Sequence, residues 1–209
     1  HDGMHVLDVG GGMGGSARML ASAIGCRVTV LDLTEDFTRA GEALTERLGL
    51  GHLVTHRTGN ALDMPFEDGS FDLAWTQHAV MNIADRRTLY AEMHRVVRRG
   101  GRLALHDMTS PNGGDIHYPV LWAPTADISF LLSPEATREY VTAAGFREVE
   151  WVDATPVTIE WFRKRLEAES ASGRPTDPRA ARSMAARANV LRNMEEGRLV
   201  CIEAVFEKV

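Results

Sequence analysis

Val6-Leu7-Asp8-Val9-Gly10-Gly11-Gly12-Met13-Gly14-Gly15 decides how this chain is read: an apolar strand runs into a glycine-rich turn, and the residues from Ser16 onward continue as a helix. Glycine has no Cβ and adopts positive φ at little steric cost. Such a turn therefore brings backbone against a ligand, while the helix that follows begins with free N–H groups. Strand, glycine turn and helix in that order outline a nucleotide-cofactor site in an α/β fold.

The cofactor depends on the register of the turn, and two registers fit. Gly10, Gly12 and Gly15 have the dinucleotide spacing G-x-G-x-x-G, whereas Gly10, Gly12 and Gly14 have the G-x-G-x-G that follows an acidic residue, here Asp8, in S-adenosylmethionine enzymes. Asp32 stands 18 positions after Gly14, at the end of the next apolar run, where a carboxylate can accept hydrogen bonds from both ribose hydroxyls. The alternative for Asp32 is a residue at a helix N-terminus.

The 209 residues have ordinary globular composition, 44% hydrophobic and 25% charged, enough for one well-formed core, and a single domain over 1–209 is expected. Net charge is −6, and the pairs Arg86-Arg87 and Arg98-Arg99 read as solvated helix ends. The electrostatic footprint of a nucleic-acid binder is missing, and a small-molecule partner is the better default. No apolar run approaches the roughly 18 residues that span a membrane, and no signal segment opens the chain. Cys26 and Cys201 fall at expected strands, where a free thiol acts as a small buried hydrophobe, which points to a reducing, cytoplasmic setting. The chain passes from His1-Asp2-Gly3-Met4 almost directly into its first strand, so an N-terminal cover over the ligand is expected to be absent from it. Nothing in the sequence sets an oligomeric state.

Strand and helix periods alternate through the first two thirds. Val6 to Val9 is followed by a helix with Ala17, Leu20, Ala21 and Ile24 on one face, and Arg27 to Leu31 by one that groups Phe37, Ala40, Leu44 and Leu48. Further strands are expected at Leu53 to Arg57, Phe71 to Thr76 and Leu103 to His106. The last two are separated by a helix that carries Leu89, Met93, Val96 and Val97 and closes at Gly100-Gly101. This βαβ alternation implies a parallel sheet with helices on both faces, a Rossmann-like three-layer sandwich. Beyond it, 108–132 reads as a long lid loop. Ser133-Pro134 then opens a helix that places Ala136, Tyr140 and Ala144 together and stops at Gly145. A strand follows from Phe146 to Val152, then a helix marked by Ile159, Phe162 and Leu166, a polar linker from Ser170 to Pro178, a helix from Arg179 to Glu195, and a last strand from Leu199 to Phe206.

Ligands of open α/β sheets bind beyond the carboxyl ends of the strands. Those ends carry Asp8 with the glycine turn, Asp32 with Leu33, Gly59-Asn60-Ala61, and Gln77-His78-Ala79-Val80-Met81-Asn82. The amide of Asn60 can meet an adenine edge, or it can cap its own loop as a turn residue.

Val6 to Gly15, Asp32, Gly59-Asn60-Ala61, Pro65-Phe66-Glu67-Asp68-Gly69-Ser70-Phe71-Asp72 and Glu92 to Gly101 together resemble the class I S-adenosylmethionine-dependent methyltransferases, over residues 4–107. Within that family the chain is similar to the small-molecule branch that includes glycine/sarcosine N-methyltransferases and ubiquinone/menaquinone C-methyltransferases. The resemblance implies a seven-stranded, mostly parallel sheet with an antiparallel last strand, Leu199 to Phe206, inserted beside the fifth. It also implies S-adenosylmethionine as methyl donor and S-adenosylhomocysteine as product. Asp8 would face the amino end of the cofactor, with Gly10, Gly11, Gly12 and Gly14 cradling its methionine and ribose. Asp32, with Leu33 beside it, would hold the ribose hydroxyls, Asn60 and Ala61 would lie at the adenine, and Gln77 near the methionine moiety. The family usually has Asp where Asn60 stands. Glycine/sarcosine enzymes have Asp where His78 stands, which argues against a substrate ammonium held there. The 118–123 and 129–132 segments are similar to the substrate-side loop of some members, which makes Tyr118 and Trp122 candidate substrate-binding residues.

Methyl transfer from a sulfonium is an in-line displacement. The protein holds the nucleophile near the methyl carbon, excludes water, and removes a proton where the acceptor is an O–H or acidic C–H. His78, His106 and His117 are the candidate bases, His78 and His117 foremost. Trp122, Tyr118 and Phe130 form either an aromatic wall for the acceptor or core beneath the loop. No metal is expected, since no spacing here has the specificity of a metal motif. The alternatives are an NAD-dependent oxidoreductase, resting on Gly10, Gly12, Gly15 and Asp32, and a non-catalytic cofactor-binding subunit. Amine, hydroxyl, quinone carbon and thiol all stay open as the small-molecule acceptor.

Overall fold

The computed structural model of the chain describes residues 3–171 and 177–209, so that 172–176 of the expected polar linker lie outside the described residues. Strands β1 (His5–Val9), β2 (Arg27–Asp32), β3 (Val54–Thr58), β4 (Phe71–Gln77), β5 (Val97–Thr109), β6 (Phe146–Asp153) and β7 (Val200–Lys208) form one sheet in the order β3-β2-β1-β4-β5-β7-β6. The pairings from β3 through β5 are parallel, and β7 lies antiparallel between β5 and β6. This is the mostly parallel, seven-stranded sheet with its last strand inserted beside the fifth. The chain runs outward from β1 to β2 and β3, then returns on the other side of β1 as β4. That reversal opens a crevice at the carboxyl ends of β1 and β4.

Successive residues of β1 point to opposite faces, and each face has its own core. Leu7 and Val9, with Leu103 and Leu105 of β5, pack against Leu89, Tyr90, Met93 and Val96 of α3 (Arg86–Val96) and Val141 of α4 (Pro134–Ala143). Val6, with Val28 and Val30 of β2, packs against Ala17 and Ala21 of α1 (Gly15–Ile24), and α2 (Glu35–Arg47) lies beside it over β3. A third cluster joins α5 (Thr155–Ala171) and α6 (Pro178–Glu195) to the carboxyl end of β5 through Phe162, Val190, Met194, Met108 and the loop residues Val120 and Ala123. Local signals set the helix starts as their chemistry dictates. The Ser133 side chain accepts from the N–H of Ala136 ahead of Pro134, and the Asp85 side chain accepts from Thr88.

Four expectations are corrected. The buried face of α2 is Thr38, Gly41 and Thr45, while Phe37, Leu44 and Leu48 point outward. The helix lies too close to β3 for large side chains: a Cβ on Gly41 would come 2.5 Å from the His56 ring, and the Thr38 and Thr58 hydroxyls bond at 2.6 Å. On α4 the buried residues are Thr137 and Val141 rather than Ala136 and Tyr140. Gly100-Gly101 does not close α3, which ends at Val96; it lies inside β5, where Phe71 pairs with Val97 and Leu73 with Arg102, so that Arg98, Arg99 and the two glycines bulge opposite the single residue Asp72. Arg86 is no solvated helix end but is buried, for the reason given below.

Phe206 of β7 is fully buried, edge-on to Trp151 of β6. Phe206→Ala is expected to cost about 3–5 kcal/mol in urea-unfolding measurements. Val157→Ala, at an exposed position on α5, is expected to change stability by less than about 0.5 kcal/mol.

Candidate active site

The glycine turn settles its own register. Gly10, Gly12 and Gly14 have φ of 72°, 56° and 73°, whereas Gly15 has no positive φ and a Cβ on it would meet open space. A Cβ on Gly10 would run into that of Ala79, one on Gly11 would lie 2.5 Å from Oδ2 of Asp8, and one on Gly14 would lie 2.5 Å from Cε1 of His56. The backbone thus demands glycine at 10, 12 and 14, the spacing in which Asp8 is the acidic partner. Helix α1 starts at Gly15 without a side-chain cap, which leaves its first turn open to a ligand.

Two carboxylates serve the turn. Asp32 ends β2, with Oδ2 accepting from the N–H of Gly12 and Oδ1 from that of Thr34, both at 2.9 Å. A carboxylate has about four lone-pair sites, so two remain for ligand hydroxyls. Asp8 is buried beneath Gly11, and its Oδ2 has no hydrogen-bond partner. Burial, and then the nearby charge of Asp32, push its carboxyl up to about 7. Beside Asp32, Leu33 is 73% exposed, an apolar surface next to a polar rim. The N–H of Gly59 donates to the carbonyl of Asp32 and brings 59–61 alongside. Asn60 Oδ1 accepts from the N–H of Leu62 at 2.9 Å, so its oxygen is spent in the turn, and Ala61 packs half-buried against the core. These groups fit S-adenosylmethionine: a glycine turn without Cβ atoms, a carboxylate with lone pairs left for a diol, an apolar side chain for a planar base, and a buried carboxyl with an unpartnered oxygen for an ammonium.

At the end of β4, Gln77 Oε1 accepts from the hydroxyl of Ser16 on α1 at 2.7 Å, and its amide nitrogen lies 3.3 Å from Nδ1 of His106. Ser16 is a contact the sequence reading did not single out. His78 follows with φ of 52°, the one non-glycine positive φ among the described residues, and its N–H donates to the carbonyl of His106. A strained backbone at a strand end is a mark of a functional position. His78 is an exposed residue; desolvation by the protein packed around it, and then the His106 ring 4.6 Å away, hold its pKa down to about 4.

Of the three candidate histidines, His117 lies apart, while the rings of His78 and His106 are neighbours that face different hollows. His78 lines a cavity of about 390 Å³ together with Met81, Asn82, Met108, Trp122 and Phe162, and with Leu121 and Val190 at its sides. His106 lies on the α1 side of the sheet, in a different depression with Trp75 and Glu203. His117 is tied to α6: its Nε2 lies 2.8 Å from Glu196 Oε2, and its backbone exchanges hydrogen bonds with the Asn193 amide. It clasps the loop to the helix and does not line the cavity. Tyr118 and Trp122 both pack, half-buried, on the α5–α6 cluster, and Trp122 of the two also lines the cavity.

The cavity wall is held by polar clamps that no periodicity marks. Asn82 Nδ2 donates to the carbonyls of Trp122 and Ile128, both at 2.9 Å. The buried guanidinium of Arg86 donates to the carbonyls of Val80 and Phe130, with the buried carboxyl of Asp107 nearby. An arginine in the first turn of α3 is buried because two irregular segments each leave a carbonyl that must be satisfied.

Residues 7–105 match the family model described as a methyltransferase domain. The chain is 32% identical over 155 residues to the sarcosine/dimethylglycine N-methyltransferase of Halorhodospira halochloris, covering 72% of this chain and 54% of that protein. It is 33% identical over 159 residues to O-methyltransferase resE of Aspergillus sclerotiorum, covering 72% and 58%. It thus spans little more than half the length of each. The geranyl diphosphate C-methyltransferase of Streptomyces coelicolor A3(2), solved with Mg2+, geranyl diphosphate and S-adenosyl-L-homocysteine, superposes with a TM-score of 0.82 at 20% identity, over 100% of this chain and 73% of that one.

Because Asp8 is raised from 3.8 to about 7, the folded chain holds a proton there that the unfolded chain releases. The associated stability is fully present below about pH 4 and is lost as pH rises through about 7, with a slope of up to about 1.4 kcal/mol per pH unit. Urea unfolding across that window is expected to show this slope in the native sequence and not in Asp8→Asn. Sheet order, glycine register and the domain match together make residues 7–105 a methyltransferase domain, similar to those of the class I S-adenosylmethionine-dependent enzymes.

Proposed function

We propose that this chain transfers a methyl group from S-adenosylmethionine to a small-molecule acceptor. The reading rests on one observation above the rest: three left-handed glycines lie at the sheet's reversal between two carboxylates, one bonded to the turn and one buried without a partner. Bound there, S-adenosylmethionine supplies a methyl group already activated on a sulfonium centre. The residues do the remainder. Gly10, Gly11, Gly12 and Gly14 give the backbone its close approach, Asp8 takes the ammonium, Asp32 the ribose hydroxyls, and Leu33 with Asn60 and Ala61 the adenine. Gln77, held by Ser16, fixes the methionine end. His78 stands at the junction of this site with the neighbouring cavity and takes the acceptor's proton.

The same reading takes 1–209 as one domain with 108–132 as its lid, acting in the cytoplasm without a nucleic-acid partner. It is supported by a net charge of −6 and by the free, buried thiols of Cys26 and Cys201. No helix among the described residues is long and apolar enough to cross a membrane.

Calorimetric titration with S-adenosylhomocysteine and with NAD tests the reading. Binding of the first and not the second is expected, and the reverse would return the chain to the dinucleotide enzymes. Gly11→Ala forces a Cβ onto Asp8 and Val30 and is expected to reduce S-adenosylhomocysteine affinity at least about 100-fold. Asp32→Ala removes charge-assisted hydrogen bonds and is expected to cost about 10- to 100-fold.

A further inference from the structure

Resting on the methyltransferase reading, we infer that the acceptor is an uncharged, largely apolar molecule bearing a hydroxyl, seated between Trp122 and Phe162 with that hydroxyl against the imidazole of His78. The cavity is about 390 Å³, the size of a small-molecule site. Its walls come from four places: Met81 after β4, Met108 at the end of β5, Leu121 and Trp122 in the loop, and Phe162 and Val190 on α5 and α6. Among the described residues no Lys, Arg, Asp or Glu lines it. Asn82 spends both amide hydrogens on the carbonyls of Trp122 and Ile128, which leaves the site one acceptor oxygen and the His78 ring as its polar groups.

A carboxylate or a diphosphate entering such a site would lose its hydration with no cation to meet it, at a cost of several kcal/mol. The residues that line it thus favour an uncharged acceptor over amino acids and prenyl diphosphates. An apolar body is favoured instead: Met81 and Met108 adapt to shape, and the indole of Trp122 is held in place by its N–H donating to Ser129 Oγ at 2.9 Å. With its pKa held down, the His78 ring accepts a hydrogen bond from a hydroxyl, and the lining offers an ammonium no counter-ion. In the reaction the hydroxyl oxygen bonds to the methyl carbon of S-adenosylmethionine as the carbon–sulfur bond breaks. The electron pair of that bond stays on sulfur as the thioether, and the hydroxyl proton passes to His78 and then to solvent.

The test uses the whole chain saturated with S-adenosylhomocysteine, with 2-naphthol as the probe and sarcosine and geranyl diphosphate as comparators in calorimetry. Binding of 2-naphthol at least about tenfold tighter than either comparator is expected. Leu121 is 49% exposed, so Leu121→Glu places a charge at the wall without disturbing the core; it is expected to weaken 2-naphthol at least about tenfold and leave S-adenosylhomocysteine affinity within about twofold. With S-adenosylmethionine, His78→Ala is expected to slow 2-naphthol methylation by about 10²–10⁴-fold while binding of both ligands persists. Tighter binding of sarcosine or geranyl diphosphate, no binding of 2-naphthol, or indifference to Leu121→Glu would overturn the acceptor class. Unchanged methylation in His78→Ala would overturn the placement of the hydroxyl. Failure of S-adenosylhomocysteine to bind would instead sink the methyltransferase reading beneath it.

Discussion

The turn between β1 and α1 is pressed from four strands at once. Ala79, just beyond β4, lies against Gly10; Asp8 of β1 and Val30 of β2 lie against Gly11; and His56 of β3 lies against Gly14. Side chains at these positions would force the ends of the central strands apart, so the absence of three Cβ atoms lets the sheet converge on a single stretch of backbone. The crevice at the strand reversal exists because of that convergence. Its costs are visible too. Asp8 is buried with an unpartnered oxygen, and retention of a proton near neutrality is how an isolated carboxyl meets a low-dielectric site.

The acceptor side is built on another principle. Nothing regular covers the crevice; the 118–132 stretch is irregular backbone, and irregular backbone must have its carbonyls satisfied before it can be packed. Arg86 and Asn82 do this together, gathering the carbonyls of Val80, Trp122, Ile128 and Phe130 onto the start of α3 and the turn before it. Phe130 also donates its N–H to the carbonyl of Met81. A buried guanidinium costs desolvation, which donation to backbone carbonyls and proximity to Asp107 offset. At His78 the backbone is left-handed, and there the chain turns from β4, beside the glycine turn, to the wall of the cavity.

Much of this was legible from the residues because the strongest signals are local. A glycine turn after an apolar strand, a Ser-Pro helix start at Ser133-Pro134, and apolar runs at the five leading strands all rest on chemistry within a few positions. Where the reading failed, a distant neighbour had overridden local pattern. Phe37, Leu44 and Leu48 share a face at helical spacing, yet α2 turns Thr38, Gly41 and Thr45 inward because His56 and Thr58 on β3 demand small and hydroxyl-bearing partners. Gly100-Gly101 has the look of a helix stop, and only pairing with β4 makes it a bulge. His117 is as good a base as His78 by residue type; its distance from the cavity follows from Asn193 and Glu196, some 76 and 79 positions away.

The sequence by itself determined the fold class and put Asp8 and Asp32 at strand ends beside the glycine turn, since each follows from backbone conformations and strand ends encoded within about thirty residues. The residues around the turn also favoured the Gly10, Gly12, Gly14 register, and the tertiary structure supplied its reason: Gly14 and not Gly15 has a positive φ and no room for a side chain. The tertiary structure alone set His78 at the cavity and His117 away from it, and it alone assembled that cavity from β5, α5, α6, a loop and the segment after β4. The reason is physical: a turn is specified by its own dihedral angles, but a cavity is specified by which surfaces meet, and those surfaces lie far apart along the chain until the sheet and its clamps bring them together.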